Sequence, residues 1–294
     1  MTTVPNAQLW TDTLHFGEGP RYRDGRLYVS DQHAKEVVAL HMPDAADRTP
    51  GMQAQCEVVT KVPAGPSGLG WLPDGTLLVV SMHDRKLLAL RQGRLSLHAD
   101  LNHIATWHCN DMVVDAQGRA YVGNFGFDLD ADAPPAPARL ALVHPDGRTQ
   151  TVAEDLLFPN GMVILPGGKT LVVGETFGST LTAFDIATDG SLSNRRVWAD
   201  LPNPPDGICL DAEGCIWVAH PTPMGGFSRV REGGHIEAHL DPEPGYLGIA
   251  CMLGGPERRS LFMVEARSYK PHETSAGNSR VRMVAVDVPG AGHP

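Results

Sequence analysis

A seven-residue offset between two turn-forming positions recurs along the whole chain. It occurs at 68–75, 111–118, 161–168, 207–214 and 248–255, with a six-residue version at 19–25. Each unit contains a short apolar strand, a turn and the start of a second strand. Six copies at intervals of 41 to 50 residues have the period of propeller blades.

Two further strand-like runs follow the repeated unit. A third apolar run, such as VVAL at 37–40, follows in every unit, and a fourth follows in five of them. The sixth unit shows only three, while the run AQLWTDT at 7–13 stands spare before the first unit. We predict that this N-terminal strand completes the last blade and removes the open sheet edge. The predicted fold is all-β: one six-bladed β-propeller domain over residues 1–294, with four antiparallel strands per blade.

Composition excludes several classes of partner. The net charge of −10 comes from 34 acidic and 24 basic residues, without the basic run that nucleic-acid binding needs. No segment approaches the ~18 to 20 apolar residues of a membrane span. Five cysteines without tight spacing favour a reducing compartment, and the first 16 residues lack the basic start and apolar run of an export signal. A cytoplasmic protein is therefore predicted, with its oligomeric state left open.

The residue just before each unit indicates a polar ring. The first strand of a propeller blade lines the central channel, so equivalent positions on these strands converge near the axis. Most of the six residues at this position bear oxygen: Glu18, Ser67, Asn110, Asn160, Asp206 and Leu247.

Two carboxylates and an amide in this ring predict a metal site. Glu18, Asn160 and Asp206 are hard oxygen donors of the kind that Ca²⁺, Mg²⁺ and Mn²⁺ prefer. No Cys/His spacing resembles a closed zinc site. The alternative is that such residues only bond the backbone near turns. Two carboxylates at one axis would repel each other, however, so the arrangement favours a cation.

Four segments carry a family resemblance. GEGP (17–20), FPNGMVILPGGKTLVVGET (158–176), PPDGICLDAEGCIWVA (204–219) and CMLGGPERRSLFMVEAR (251–267) resemble the SMP-30/gluconolactonase/luciferin-regenerating-enzyme family of regucalcin-like sugar lactonases. The resemblance implies a six-bladed propeller, as the repeat count does. It also implies that Glu18, Asn160 and Asp206 are metal ligands and that Asn110 contacts substrate or metal.

The chemistry implied by the resemblance is metal-dependent hydrolysis. A divalent ion with open coordination positions polarises a carbonyl and acidifies a bound water. Asp206 is the implied general base. We therefore expect a lactonase that opens a small sugar-acid lactone or related cyclic ester. Ca²⁺ is the first choice of ion, with Zn²⁺, Mn²⁺ and Mg²⁺ as alternatives. The competing functions are hydrolysis of an organophosphate or another ester at the same site, and a non-catalytic calcium-binding propeller.

Substrate contacts are expected on loops at the end of the channel that carries the ring. His108 stands where sugar lactonases of this family commonly have Arg, and an imidazole does not reproduce a bidentate guanidinium grip. The family uses the region after the second strand of blade three for substrate contacts, so Asn124 and Asp128 are predicted to bind substrate with Asn110 and His108. Second strands run antiparallel to the first, so their ends return to the same face. Further candidates there are His33, His83, Phe125, Glu175 and His220.

Overall fold

β-Strands form nearly all the regular structure of the computed structural model, which describes residues 7–41 and 52–292. Six four-stranded antiparallel sheets form the blades. The first three are blade 1, β2 (Gly17–Arg23), β3 (Arg26–Asp31), β4 (Glu36–His41) and β5 (Gln55–Lys61); blade 2, β6 (Pro66–Trp71), β7 (Leu77–Ser81), β8 (Lys86–Arg91) and β9 (Arg94–Asp100); and blade 3, β10 (Cys109–Val114), β11 (Ala120–Asn124), β12 (Ala138–Val143) and β13 (Thr149–Leu156).

The second half of the chain repeats this arrangement. It forms blade 4, β14 (Pro159–Ile164), β15 (Thr170–Glu175), β16 (Thr180–Ile186) and β17 (Leu192–Asp200); blade 5, β18 (Ile208–Leu210), β19 (Ile216–His220), β20 (Gly226–Val230) and β21 (Ile236–Leu240); and blade 6, β22 (Leu247–Gly254), β23 (Ser260–Ala266), β24 (Ser279–Ala285) and β1 (Gln8–Leu14). Within residues 7–41 and 52–292, two 3-10 helices occur, at Thr176–Gly178 and Pro271–Glu273. Among the described residues, neither helix is long or apolar enough to cross a bilayer.

The N-terminal strand closes the ring, as the sequence predicted. β1 pairs antiparallel with β24 and becomes the outer strand of blade 6. Trp10 of this strand packs edge-on against Phe262 of β23, with ring centroids 4.6 Å apart. The two ends of the propeller are therefore joined by backbone hydrogen bonds and by aromatic packing.

Burial falls from the inner to the outer strands of a blade. All five residues of β7 are buried, because a second strand is covered on both faces by neighbouring blades. The outer strand β9 of the same blade exposes most of its side chains. This difference explains the continuous apolar runs of the second strands and the mixed composition of the fourth.

Five of the six first strands share a register break beside the predicted ring. Pairing is interrupted between Glu18 and Arg21, Pro66 and Leu69, Cys109 and Met112, Pro159 and Met162, and Gly248 and Ala250. A bulge turns the side chain beside it out of the regular alternation and is common next to active sites. The repeat of the sequence thus corresponds to a repeated bulge in five blades, whereas in blade 5 Asp206 lies just before β18, which pairs with β19 in continuous register.

Candidate functional site

A cavity of about 520 Å³ opens at one end of the propeller. All six loops that join second to third strands contribute to its wall, together with segments that lead into the first strands, such as those of Phe16 and Phe158. One lining residue from each of these loops, in blade order, is His33, His83, Phe125, Phe177, Thr222 and Tyr269. The mouth is therefore shaped by loops, whereas its floor is shaped by the first strands.

Four of the predicted ring residues lie together on the floor of this cavity. Glu18, Asn110, Asn160 and Asp206 all line it, and all four are buried. Leu247 packs instead in an apolar cluster with Phe16 and Ile249. The oxygen donors thus come from blades 1, 3, 4 and 5, and blade 6 contributes an apolar side chain at this position.

Hydrogen bonds hold Asn160 against Asp206. The Asn160 Nδ2 donates to Asp206 Oδ1 (2.5 Å) and to Thr176 Oγ1 (3.1 Å). The Thr176 hydroxyl in turn donates to the carbonyl of Pro205 (2.8 Å). Because both donors of the amide point to these partners, its Oδ1 is the atom left to face an ion or a substrate.

Burial and like charge disfavour the ionised forms of both carboxyl groups. Burial raises the pKa of Glu18 well above its usual value, and repulsion from Asp206 and Asp111 adds to the rise. Burial also raises the pKa of Asp206 to about 8, against the opposing effect of the Asn160 hydrogen bond. Both groups would gain from a positive charge placed between them.

The nearby arginine is already committed to another carboxylate. Arg21 Nη2 donates to Asp111 Oδ1 (2.8 Å) and to the Met112 carbonyl (2.7 Å), and both members of the ion pair are buried. Arg21 also lowers the pKa of Glu18, but this is the smallest of the effects that act on that group. The charge of Asp111 is thereby balanced, and that of Glu18 and Asp206 is not.

His108 lies behind the cavity wall. Its ring packs against Trp107 (5.0 Å between centroids), His83 (4.5 Å) and Phe125 (6.0 Å), and the last two line the cavity. Burial lowers the pKa of both His83 and His108, so neutral imidazoles stand on this side. A direct substrate contact by His108 stays a prediction.

Asn124 and Asp128 are held by their own blade. Asn124 is buried; its Nδ2 donates to the Arg139 carbonyl (2.6 Å), and its Oδ1 accepts from Thr106 and Gly126. Asp128 accepts from the backbone N–H of Ala131. Neither lines the cavity, although Leu129 and Asp130 beside them do. Their predicted contact with substrate remains untested.

Two further candidates from the sequence, Glu175 and His220, bond other groups of the protein and do not line the cavity. Glu175 accepts from the backbone N–H of Leu157 (2.7 Å) and pairs with Arg195 (3.0 Å). His220 is fully buried, with its Nδ1 3.0 Å from the carbonyl of Pro204 and its Nε2 3.1 Å from Ser228 Oγ. A carbonyl can only accept, so Nδ1 carries the proton. His220 therefore anchors the segment that leads to Asp206.

Sequence reasoning missed Thr176 and most of the aromatic lining. Thr176 lies within the family-like segment 158–176, but only the fold shows that it bonds Asn160. Phe16, Phe158 and Phe177 line the cavity from three separate segments. Phe16 and Phe158 each stand two residues before a ring residue, Glu18 and Asn160, so this offset is a signal that could have found them. Phe177 follows a second strand and does not share this offset.

Gly161 permits the close approach of blades 4 and 5 that brings Asn160 to Asp206. A Cβ on Gly161 would lie 2.6 Å from both the Asp206 carbonyl and the Ile208 nitrogen. We expect Gly161→Ala to force these backbones apart, to destabilise the protein by about 1–3 kcal/mol in urea unfolding, and to weaken ion binding. Gly174→Ala in the same blade, where a Cβ would meet its nearest atoms at 3.4 Å, is the control and should change neither. Equal effects of the two substitutions would contradict this account.

The fold and site together define a six-bladed propeller with an axial cavity whose floor carries buried oxygen donors. Residues 16–267 match the family described as SMP-30/Gluconolactonase/LRE-like region, and the chain belongs to this family. It is 27% identical over 195 residues to pentonolactonase XacC of Haloferax volcanii, covering 63% of this chain and 64% of that protein. It is 25% identical over 182 residues to regucalcin of Danio rerio, covering 57% of each chain. The chain thus spans less than two thirds of these relatives.

Solved structures share the fold. Regucalcin of Agrobacterium tumefaciens, described as a calcium-binding protein, superposes with a TM-score of 0.79 at 21% identity, covering 98% of this chain and 96% of that one. A gluconolactonase of Xanthomonas campestris superposes with a TM-score of 0.72 at 24% identity, covering 95% of this chain and 89% of that one. These similarities support the six-bladed architecture over nearly the full length.

Proposed function

We propose that this protein is a divalent-metal-dependent hydrolase that opens a small lactone with an activated water. The observation that carries the proposal is the cluster of Glu18, Asn160 and Asp206 on the floor of one cavity, with Asn110 beside them. Membership of the family and the lactonase names of its relatives from Haloferax volcanii and Pseudomonas putida support the choice of lactones.

The residues fit a hard divalent cation. Two buried carboxyl groups with raised pKa values share a floor where the nearest arginine is bound to Asp111. Among the described residues, no three His, Cys, Asp or Glu side chains gather as a metal cluster, so an amide must complete the ligand set. Carboxylate and amide oxygens suit Ca²⁺ first, then Mg²⁺ and Mn²⁺. Glu18, Asn160 and Asp206 would hold the ion, which supplies polarisation of the lactone carbonyl and acidification of a water.

The side chains around the ion position would transfer the proton, hold the base and contact the substrate. Asp206 takes the proton as the water oxygen attacks the lactone carbonyl carbon. It returns the proton to the ring oxygen as the C–O bond breaks, which leaves the open hydroxy acid. Thr176 and Asn160 keep Asp206 in place through their hydrogen bonds. Asn110 faces the same space and is the proposed contact for the substrate.

The deciding experiment combines metal and substrate. We expect chelator-treated protein to hydrolyse no member of a panel of γ- and δ-lactones, and to regain activity with Ca²⁺, Mn²⁺, Zn²⁺ or Mg²⁺ added singly. An organophosphate ester in the same panel tests the other hydrolytic function. Ion binding by calorimetry without turnover of any ester would favour a non-catalytic calcium-binding protein, the description that the Agrobacterium tumefaciens regucalcin carries. Full activity in the presence of the chelator would overturn the metal-dependent mechanism.

A further inference from the structure

We infer that the preferred substrate is a lactone with an alkyl or aryl substituent rather than a polyhydroxylated sugar lactone. This inference rests on the proposed function and deepens it. It comes from the chemistry of the cavity walls between the polar floor and the solvent. Two features carry it: a continuous aromatic surface on one side and apolar cover on the other.

The aromatic surface consists of Phe125, Phe158 and Phe177, and we call it the phenyl wall. Phe125 stacks on Phe158 with centroids 4.4 Å apart, and Phe158 contacts Phe177 at 5.3 Å. Phe127 supports the wall from behind, at 5.9 Å from Phe158 and 5.1 Å from Phe177. Phe158 lies two residues before Asn160 in the chain and is buried, whereas Phe177 is 45% exposed. The wall therefore leads from the floor to the solvent.

Phe158 holds its place in the wall with a strained backbone. Its φ is +62°, a region that bulky residues rarely adopt. Such a conformation persists only where the surrounding structure enforces it, and it is concentrated at functional sites. The strain turns the Phe158 ring into the cavity directly beside the strand that carries Asn160.

The opposite side of the cavity is also largely apolar. Phe16 stacks on His33 with centroids 4.9 Å apart, and both line the cavity. Burial lowers the pKa of His33, so this imidazole is neutral at neutral pH. Ile249 lies at the floor and Tyr269, 47% exposed, at the rim. A substituent leaving the ring of a bound lactone would thus meet carbon surface on two sides.

Three of the polar groups that line the cavity are already hydrogen-bonded within the protein, whereas the buried hydroxyl of Thr222 has no partner among the described residues. Thr176 Oγ1 donates to Pro205 and accepts from Asn160. His33 Nδ1 lies 2.7 Å from Thr274 Oγ1, and Gln32 Nε2 donates to Ser67 Oγ (3.4 Å).

The three bonded groups offer fewer partners to the hydroxyls of a sugar lactone, and an unpaired hydroxyl is costly to desolvate. Among the described lining residues, Lys35 is the only Lys or Arg. The cavity therefore also lacks the guanidinium forks that grip a polyol in a fixed geometry.

The test compares three δ-lactones on the ion-loaded protein: δ-valerolactone, its pentyl-substituted derivative and D-glucono-δ-lactone. We expect kcat/KM to rise by about 100-fold from the first to the second, since each methylene in an apolar pocket adds to transition-state binding. D-glucono-δ-lactone should fall below the pentyl derivative. The reverse order of these two substrates would overturn the inference and leave the proposed lactonase function standing.

Phe177→Ala tests the wall itself. The side chain is exposed at the rim, so its removal should not unfold the protein. We expect the kcat/KM ratio of pentyl-substituted to unsubstituted lactone to fall by about 10-fold, because one face of the substituent loses its contact. Leu97→Ala is the matched control: Leu97 is 59% exposed on the outer strand β9 and does not line the cavity, so the ratio should not change. An unchanged ratio in Phe177→Ala would remove the wall from recognition.

A binding measurement separates this inference from the proposed function. The corresponding lactams keep the ring and the carbonyl but resist hydrolysis. Tighter calorimetric binding of the pentyl lactam than of the polyhydroxylated lactam would support the inference even if no lactone were opened. Equal or reversed affinities would overturn it whatever the turnover.

Discussion

Asp206→Asn is expected to abolish lactone opening while making the ion-free protein more stable. The change keeps the shape of the side chain but removes both the proposed base and one ligand charge. We expect kcat to fall by about 10²–10⁴-fold, the range for a lost general base. At pH 8 the ion-free variant should gain about 1–3 kcal/mol in free energy of unfolding, since a buried carboxyl with a raised pKa is removed. A purely structural aspartate would lose stability instead.

Asp185→Asn is the control for this prediction. Asp185 lies on β16 with its side chain 47% exposed, and its ion pair with Arg196 is of the surface kind that contributes little to stability. Activity and ion binding should be those of the unsubstituted protein. Native turnover of every lactone by the Asp206→Asn protein would show that Asp206 is not the base.

Removal of the ion is expected to make stability fall as the pH rises. In the ion-free protein the pKa of Asp206 is raised from 3.8 to about 8. The stability gained by keeping this proton is fully present below 3.8, the unfolded value, and is lost as the pH rises to about 8. Glu18 acts in the same direction because its pKa is also raised.

A bound cation replaces the missing proton, so it should stabilise most at the alkaline end of this range. An ion at about 100 times its Kd adds about 2.7 kcal/mol, which corresponds to a Tm increase of roughly 4–5 °C for a chain of this size. Thermal unfolding between about pH 5 and pH 8, with chelator or with saturating Ca²⁺, measures the gap in Tm between the ion-free and the ion-bound protein. Asp206→Asn should make this gap in Tm smaller, because it removes one ligand charge. A gap that is constant with pH, or widest at low pH, would contradict the assignment of Glu18 and Asp206 as ligands.

The same repeat position led to the fold and to the candidate cluster, but it did not reveal which loop residues face the cavity. His33, His83 and His220 all follow or end a second strand, and the pattern treats them alike. His33 and His83 line the cavity, whereas His220 bonds the carbonyl of Pro204. The difference depends on side-chain direction and on the partner that each loop meets, and neither is local to the sequence.

Asn124 is a second residue whose role the sequence pattern did not reveal. Its place after the second strand of blade 3 predicts a contact at the mouth, yet its amide is used by Thr106, Gly126 and Arg139. These partners are separated from it by up to 18 residues and come into reach only when the blade has folded. The neighbours of a polar side chain in space thus determine whether it supports the structure of the site or contacts the substrate.

The sequence by itself determined the number of blades, the closure by the N-terminal strand and the ring position occupied by Glu18, Asn110, Asn160 and Asp206. Strand length, turn residues and their spacing are local properties, and a repeated local property implies a repeated position in a closed ring. The tertiary structure alone decided that these four share one cavity and that the phenyl wall stands above them. Both depend on bulges, on close contact at Gly161 and on packing between blades, where residues far apart in the chain meet.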